Sequence, residues 1–227
     1  MKIKNIAIFI LLMAVTFVNA QNVYLSKVEK TKDNNDKYFY QIDPKNSAAE
    51  YLGEIDVQGF SNDDASVFAA IYKKAKEIGA NAFSYKPFES VDEKTQPFNP
   101  ANYRLELYYS TKEELLKPSN SIYFFSSSSK PQTISVNRKD YILPPRSFTT
   151  IQGIPGEIYT VSTKKFLGST IKISVNANGP AQYFQISATK IKSNTFGEPG
   201  INLKSGDILG LDKSFGDFLR MIYSENK

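Results

Sequence analysis

The 227-residue chain contains no cysteine, no histidine and no tryptophan. Without cysteine there is no disulfide, no thiolate metal site and no lipoprotein anchor. Without histidine there is no imidazole metal ligand, no Ser-His-Asp or Cys-His nucleophile, and no imidazole acid or base. No Walker loop or dinucleotide glycine fingerprint occurs either. Charge of one sign is also sparse: 28 Lys and Arg stand against 23 Asp and Glu, a net +5. The charges are interspersed, which favours ordinary solubility and leaves at most a weak pull toward anionic envelope polymers. No basic cluster points to nucleic acid. What the chain has in quantity is aromatic area, with 14 Tyr and 16 Phe, enough to favour a packed core over disorder.

The longest apolar run is at the start, in "MKIKNIAIFILLMAVTFVNA". Lys2 and Lys4 precede the run Ile6–Val18, and Val18-Asn19-Ala20 has the small-residue form of a cleavage site. This predicts a signal peptide over residues 1–20 and a mature chain beginning at Gln21, exported to the periplasm or the exterior. The run falls short of the roughly 20 residues that span a bilayer, so no transmembrane segment is expected after cleavage. Cleavage removes two lysines and no acid, lowering the net charge from +5 to +3.

The remaining residues suit one large domain or two small ones. A strand-like run opens residues 22–46, "KTKDNNDK" follows as a polar turn, and "YFYQI" is the expected hairpin partner. "YLGEIDVQGF" alternates, with Ile55 and Val57 on one face and Glu54, Asp56 and Gln58 on the other. Ser61 stands three residues before Asp64, the spacing of a capping-box helix start. Val67, Phe68, Ile71, Tyr72, Ala75 and Ile78 then recur at helical spacing, while Lys73, Lys74, Lys76 and Glu77 lie off that stripe as a solvated set. Gly79 is the expected cap, leading into a strand through Ala82, Phe83 and Tyr85. "NYRLELYY" alternates again and completes a βαββ order.

Beyond a polar connector at 111–120, seven runs rich in β-branched and aromatic residues are separated by turn residues, the pattern of a β-sandwich. The last helix places Phe215, Phe218, Leu219, Ile222 and Tyr223 on one face, with Gly216 weakening its first turn. The expected fold class is α+β: a small βαββ domain with an N-terminal strand extension over 21–110, then an antiparallel β-sandwich with a C-terminal helix over 121–227.

With its Gly53-x-Ile55 strand opening, the helix ending "KAKEIGANAF" and the paired closing tyrosines, segment 51–109 resembles the exported stress-associated domains of the YdgH/BhsA type. That resemblance implies a periplasmic βαββ module linked to stress and surface behaviour, without established catalytic residues. In segment 121–191, "ISVNRKDYILPP" followed by "IQGIPGEIYTVS" resembles PEGA-type and carboxypeptidase-regulatory-like sandwiches, which implies a non-enzymatic spacer or interaction domain.

Four groups of residues could carry chemistry, and each has a plainer reading. Asp33, Asn35 and Asp36 begin like a calcium loop, but Lys37, Tyr38 and Pro44 occupy places where ligands and the turn glycine belong. Ser127-x-x-Lys130 and Ser162-x-x-Lys165 have acyl-enzyme spacing without the accompanying motifs, so turn chemistry is favoured. Glu54, Asp56 and Glu106 could form a glycosidase pair, although cross-strand pairing with Arg104 is simpler. Tyr103, Tyr108, Tyr109 and the Tyr38-Phe39-Tyr40 run could stack on a sugar or partner, but strand alternation favours the core. No catalytic, cofactor-binding or metal-ligating residue is assigned.

The expected role is a non-catalytic envelope protein that binds an envelope protein or polymer. The alternatives are a carboxylate-dependent hydrolase of envelope glycans and a structural subunit of a surface assembly. The sheet face carrying Glu54, Asp56, Arg104 and Glu106 is expected to be at least partly solvated.

Overall fold

The computed structural model describes residues 21–88, 98–164, 168–187, 204–205 and 207–226. The expected signal peptide, residues 1–20, and Lys165 lie outside them. The chain forms a β-rich α+β fold with three sheets.

The first sheet comprises β1 (Asn22–Val28), β2 (Tyr40–Gln41), β3 (Glu50–Gln58), β4 (Ala82–Lys86) and β5 (Asn102–Tyr109), in the order β1-β3-β5-β4-β2. Two strands are thereby added to the expected three. The expected hairpin between the first two segments does not form, and they occupy opposite edges of the sheet. β1 pairs antiparallel with β3, and β2 pairs parallel with β4. The "KTKDNNDK" segment is therefore not a hairpin turn, since a hairpin needs its two strands side by side. Residues 29–39 instead cross beside the C-terminus of helix α1 (Asp64–Glu77), where the Lys32 N–H donates to the Ile78 carbonyl at 3.1 Å.

That crossing explains Gly79. The Ala80 N–H bonds back to the Ala75 carbonyl and the Gly79 N–H to that of Lys76, which is the Schellman pattern. Gly79 sits at φ +78°, and a Cβ there would overlap the Lys32 carbonyl. Gly156 has a similar φ of +87° with nothing within 4 Å of a Cβ. Gly79→Ala is therefore expected to cost about 2–3 kcal/mol and Gly156→Ala about 1 kcal/mol, read as urea midpoints. Equal costs at the two sites would mean that the crossing chain yields freely.

The helix start also differs from expectation. The N-cap is Asp63, whose carboxylate accepts from the Ser66 N–H at 3.1 Å, while Ser61 accepts from the Asp63 N–H one turn earlier. Asp63 lies three residues before an orphan helix N–H, which places its short carboxylate within reach.

The second half contains β6 (Ser121–Phe125), β7 (Gln132–Val136), β8 (Lys139–Leu143), β9 (Ser147–Gln152), β10 (Ile158–Thr163), β11 (Thr170–Ser174) and β12 (Gln182–Ile186) at the seven expected positions. It also contains β13 (Lys204–Ser205), β14 (Ile208–Leu211), helix α3 (Lys213–Ile222) and β15 (Ser224–Glu225), after a short helix α2 (Lys112–Leu115). These form a four-stranded sheet, β11-β10-β7-β8, and a six-stranded sheet, β13-β14-β12-β6-β9-β15. The arrangement is not wholly antiparallel: β12 pairs parallel with β6, and β15 with β9. The chain lays β10 and β11 in the other sheet before β12 returns, and so long a crossover permits parallel pairing.

All five residues of β6 are buried, because both faces of its sheet are covered. Ile122 and Phe124 join the core between the two sheets, with Ile134, Val161 and Phe184. Tyr123 and Phe125 face the other way, into a core shared with α1, α3 and the first sheet. Phe68 of α1 meets Phe218 of α3 at 5.3 Å between ring centroids. A layer of helices thus lies between the five-stranded and six-stranded sheets, and one continuous core joins both halves of the chain.

Candidate functional site

The outer face of the first sheet, opposite the helices, gathers the carboxylates singled out by the sequence. Register puts Glu54 opposite Glu106 and Asp56 opposite Arg104, with Lys86 of β4 opposite Arg104 on its other side. Arg104 forks onto both Asp56 oxygens, at 2.5 and 2.9 Å. Ser26 of β1 donates to the same carboxylate at 2.9 Å. Lys86 Nζ reaches Glu54 at 2.7 Å and Glu106 at 3.3 Å. Two phenols complete the cluster, Tyr51 donating to Glu54 at 2.8 Å and Tyr108 to Glu106 at 2.6 Å.

The expectation of a solvated face fails for its two central members, since Glu54 and Asp56 are each only 6% exposed. Their cover is polar and local: the side chains that pair with them lie across the face, and the Phe88 ring stacks on Arg104. Arg104 and Glu106 remain half-buried.

The electrostatics follow from this packing. The Arg104 fork holds the Asp56 carboxyl below the ordinary range against its own burial. Burial pushes Glu54 upward, but the Lys86 ammonium, the Tyr51 hydroxyl and Arg104 outweigh it and keep that group low as well. A glycosidase acid needs the opposite, a carboxyl held protonated. The arrangement is an ion-pair network that joins β1, β3, β4 and β5.

Asp56 has a depressed value in the folded state, so its contribution to stability is present above the ordinary 3.8 and is lost as pH falls through the folded value. Arg104→Ala is expected to cost about 1–3 kcal/mol at neutral pH. The deficit should narrow on acidification below that window, as seen in urea titrations at several pH values.

The calcium-like segment is organised internally. Asp36 accepts from Lys76 Nζ at 3.0 Å, from Asn81 Nδ2 at 2.7 Å and from the Tyr38 N–H at 3.0 Å. Lys76, expected to be solvated, also donates to the Tyr38 carbonyl at 2.7 Å. The crossing segment lies over the helix end and gives that ammonium two acceptors. Among the described residues, no group of three acidic, histidine or cysteine side chains is placed to hold a metal ion.

Ser127 Oγ and Lys130 exchange hydrogen bonds through the Lys130 backbone, forming a turn. Ser162 is on the outer face of β10 between Ser135 and Thr170. Tyr103 and Phe39 are core residues. Tyr108 and Tyr40 cluster with Ala82 and Leu115 on the outer face, and Lys32 lies over the Tyr109 ring.

Two buried polar centres at the junction of the halves were not singled out by the sequence. Asp217, 0% exposed, accepts from Tyr183 OH and Lys213 Nζ, both at 2.6 Å, and from the Gln41 N–H at 3.2 Å. Arg220 beside it bonds Gln41 Oε1 and Tyr123 OH. Asp64 accepts from Arg146 Nη2 and from Tyr223 OH, both at 2.7 Å. The Lys213–Asp217 spacing of four residues was the one visible signal, and on a helix it reads equally as a surface pair.

Asn81, 1% exposed, bonds the Ser110 backbone in both directions. It lies inside the Gly-Ala-Asn-Ala step as a polar keystone between β4, β5 and the crossing segment. Compared with family models, curated proteins and solved structures, the chain matches none.

Proposed function

We propose that the chain is an exported cell-envelope protein that binds a partner and does not catalyse a reaction. It would combine a βαββ module, extended at both sheet edges, with a sandwich-like half. The observation that carries the non-catalytic reading is the state of Glu54 and Asp56. These central members of the carboxylate set are held ionised by Arg104, Lys86 and Tyr51, so neither is poised as a proton donor.

Export rests on the charged, apolar and small-residue regions of residues 1–20. Among the described residues no helix is long and apolar enough to cross a membrane. The test is fractionation of the expressing cell followed by N-terminal sequencing of the recovered chain. The expected product begins at Gln21 in the envelope or external fraction. A chain that retains Met1 in the cytoplasmic fraction overturns the proposal.

A further inference from the structure

We infer that one end of the sandwich-like half docks on an anionic lipid surface. This deepens the proposed envelope role and rests on it for the protein to meet such a surface. Three connections are brought together at that end. The Asn137 N–H donates to the Thr160 carbonyl at 2.9 Å, which sets the β7–β8 turn beside the start of β10. The Gly156 N–H donates to the Val175 carbonyl at 3.0 Å, joining the β9–β10 turn to the end of β11.

Across this end the chain exposes large apolar groups. Ile154 is 56% exposed and Ile158 61% exposed, and Pro155 between them is exposed as well. They flank a turn that is built to hold its shape. The Glu157 N–H closes it on the Ile154 carbonyl at 3.0 Å, and Gly156 takes the left-handed conformation. The buried Tyr159 hydroxyl accepts from the Ile154 N–H at 2.9 Å and donates to the Glu157 carboxylate at 3.2 Å. A turn braced from below keeps its isoleucines outside the core.

The charge around the turn identifies the occupant. Arg138, Lys139 and Lys172 are all exposed. Arg138 is in the neighbouring β7–β8 turn and Lys139 opens β8, while Lys172 stands opposite Thr160 on the outer face that Ile158 shares. None of the three meets a carboxylate at ion-pair distance among the described residues, although the Lys139 ammonium lies over the Tyr141 ring; Asp140, the acid beside Lys139, is paired with Lys164. Glu157, the acid of the turn, is hydrogen-bonded to Tyr159.

Projecting aliphatic groups flanked by cations without a carboxylate partner match the two layers of an anionic bilayer, phosphates outside and acyl chains beneath. A protein partner would need acidic groups around an apolar cavity of matching shape, and no feature of this end selects it over lipid.

The test uses the chain from Gln21 onward, which contains every described element. It is sedimented with vesicles of phosphatidylcholine plus phosphatidylglycerol, and with phosphatidylcholine alone. Binding is expected with the anionic vesicles only, weakening as salt is raised. Ile154→Asp with Ile158→Asp should reduce it by about tenfold or more, and each of Arg138→Gln and Lys172→Gln by about fivefold. All four positions are exposed, so the unfolding midpoint should stay near that of the unaltered chain, and this is measured alongside.

Failure to pellet with anionic vesicles overturns the inference, as does equal pelleting of all variants. Cross-linking from position 154 in intact cells to a protein, with no lipid adduct, also overturns it. None of these results moves the N-terminus found by fractionation, so failure of the lipid inference and failure of export are separately visible.

Discussion

Asp217→Ala is expected to lower the unfolding free energy by about 3–5 kcal/mol, the usual result of removing one partner of a buried ion pair. The carboxylate is fully buried and answers three donors from three elements: Lys213 on its own helix, Tyr183 on β12 and the Gln41 N–H on β2. Alanine leaves the buried Tyr183 hydroxyl without its acceptor, and the half-buried Lys213 ammonium without its carboxylate.

Gln41 gives a local readout. The Tyr40 and Ile42 amides face the sheet and bond the Asn81 and Phe83 carbonyls, so the Gln41 amide points away from it and is satisfied by Asp217. Urea unfolding should show a lower midpoint at unchanged slope. Amide exchange at Gln41 should accelerate beyond the acceleration at Phe83, whose strand does not depend on Asp217. An unchanged midpoint would mean that the junction relaxes to admit water.

Arg146→Ala is expected to produce a loss of similar size, about 3–5 kcal/mol near neutrality, with a distinctive pH dependence. Arg146 closes the second junction. Its guanidinium donates to Asp64 and to the Ser61 carbonyl, and lies over the Phe60 and Tyr223 rings. Its backbone is held at φ 54° by bonds to Ser127 and Ser224. Burial raises the Asp64 carboxyl above its ordinary value, while the Arg146 charge and the Tyr223 hydroxyl pull it back.

A carboxyl raised in the folded state contributes stability that is full below the unfolded value and is lost as pH rises through the folded value. Removing Arg146 raises Asp64 further and widens that window upward. The gap between the unaltered chain and Arg146→Ala should therefore be smaller at pH about 4 than at pH about 7, since protonated Asp64 no longer needs a counter-charge. Paired urea titrations measure this. A gap that stays constant with pH would assign the whole loss to ring stacking and packing.

Much of the local structure was legible in order along the chain. The period-two alternation of β3 and β5, the helical stripe from Val67 to Ile78 and the seven turn-punctuated strands of the second half all depend on neighbours within a few residues. The opposition of Asp56 and Arg104 was legible too, because two alternating strands with a charged face leave few registers open. Asn81 was not. An amide in a Gly-Ala-Asn-Ala step reads only as part of the entry to β4 until Ser110 and Asp36, 29 and 45 positions away, are brought against it. For the same reason Asp64 reads as a helix-start acid, and nothing local marks Asp217 as buried.

By itself the sequence determined what chemistry is excluded, through the absence of histidine and cysteine, and where the two long helices and most of the longer strands lie, but not the short α2 or β13, β14 and β15. Tertiary structure alone decided that β1 and β2 lie at opposite edges, that the helices form a layer shared by two sheets, and which charges are buried. The physical reason is the range of the forces. Propensity and periodicity act between near neighbours, so they are written locally. Desolvation of a carboxylate and the pairing that compensates it depend on every surface that closes over the site, and those surfaces come from both ends of the chain.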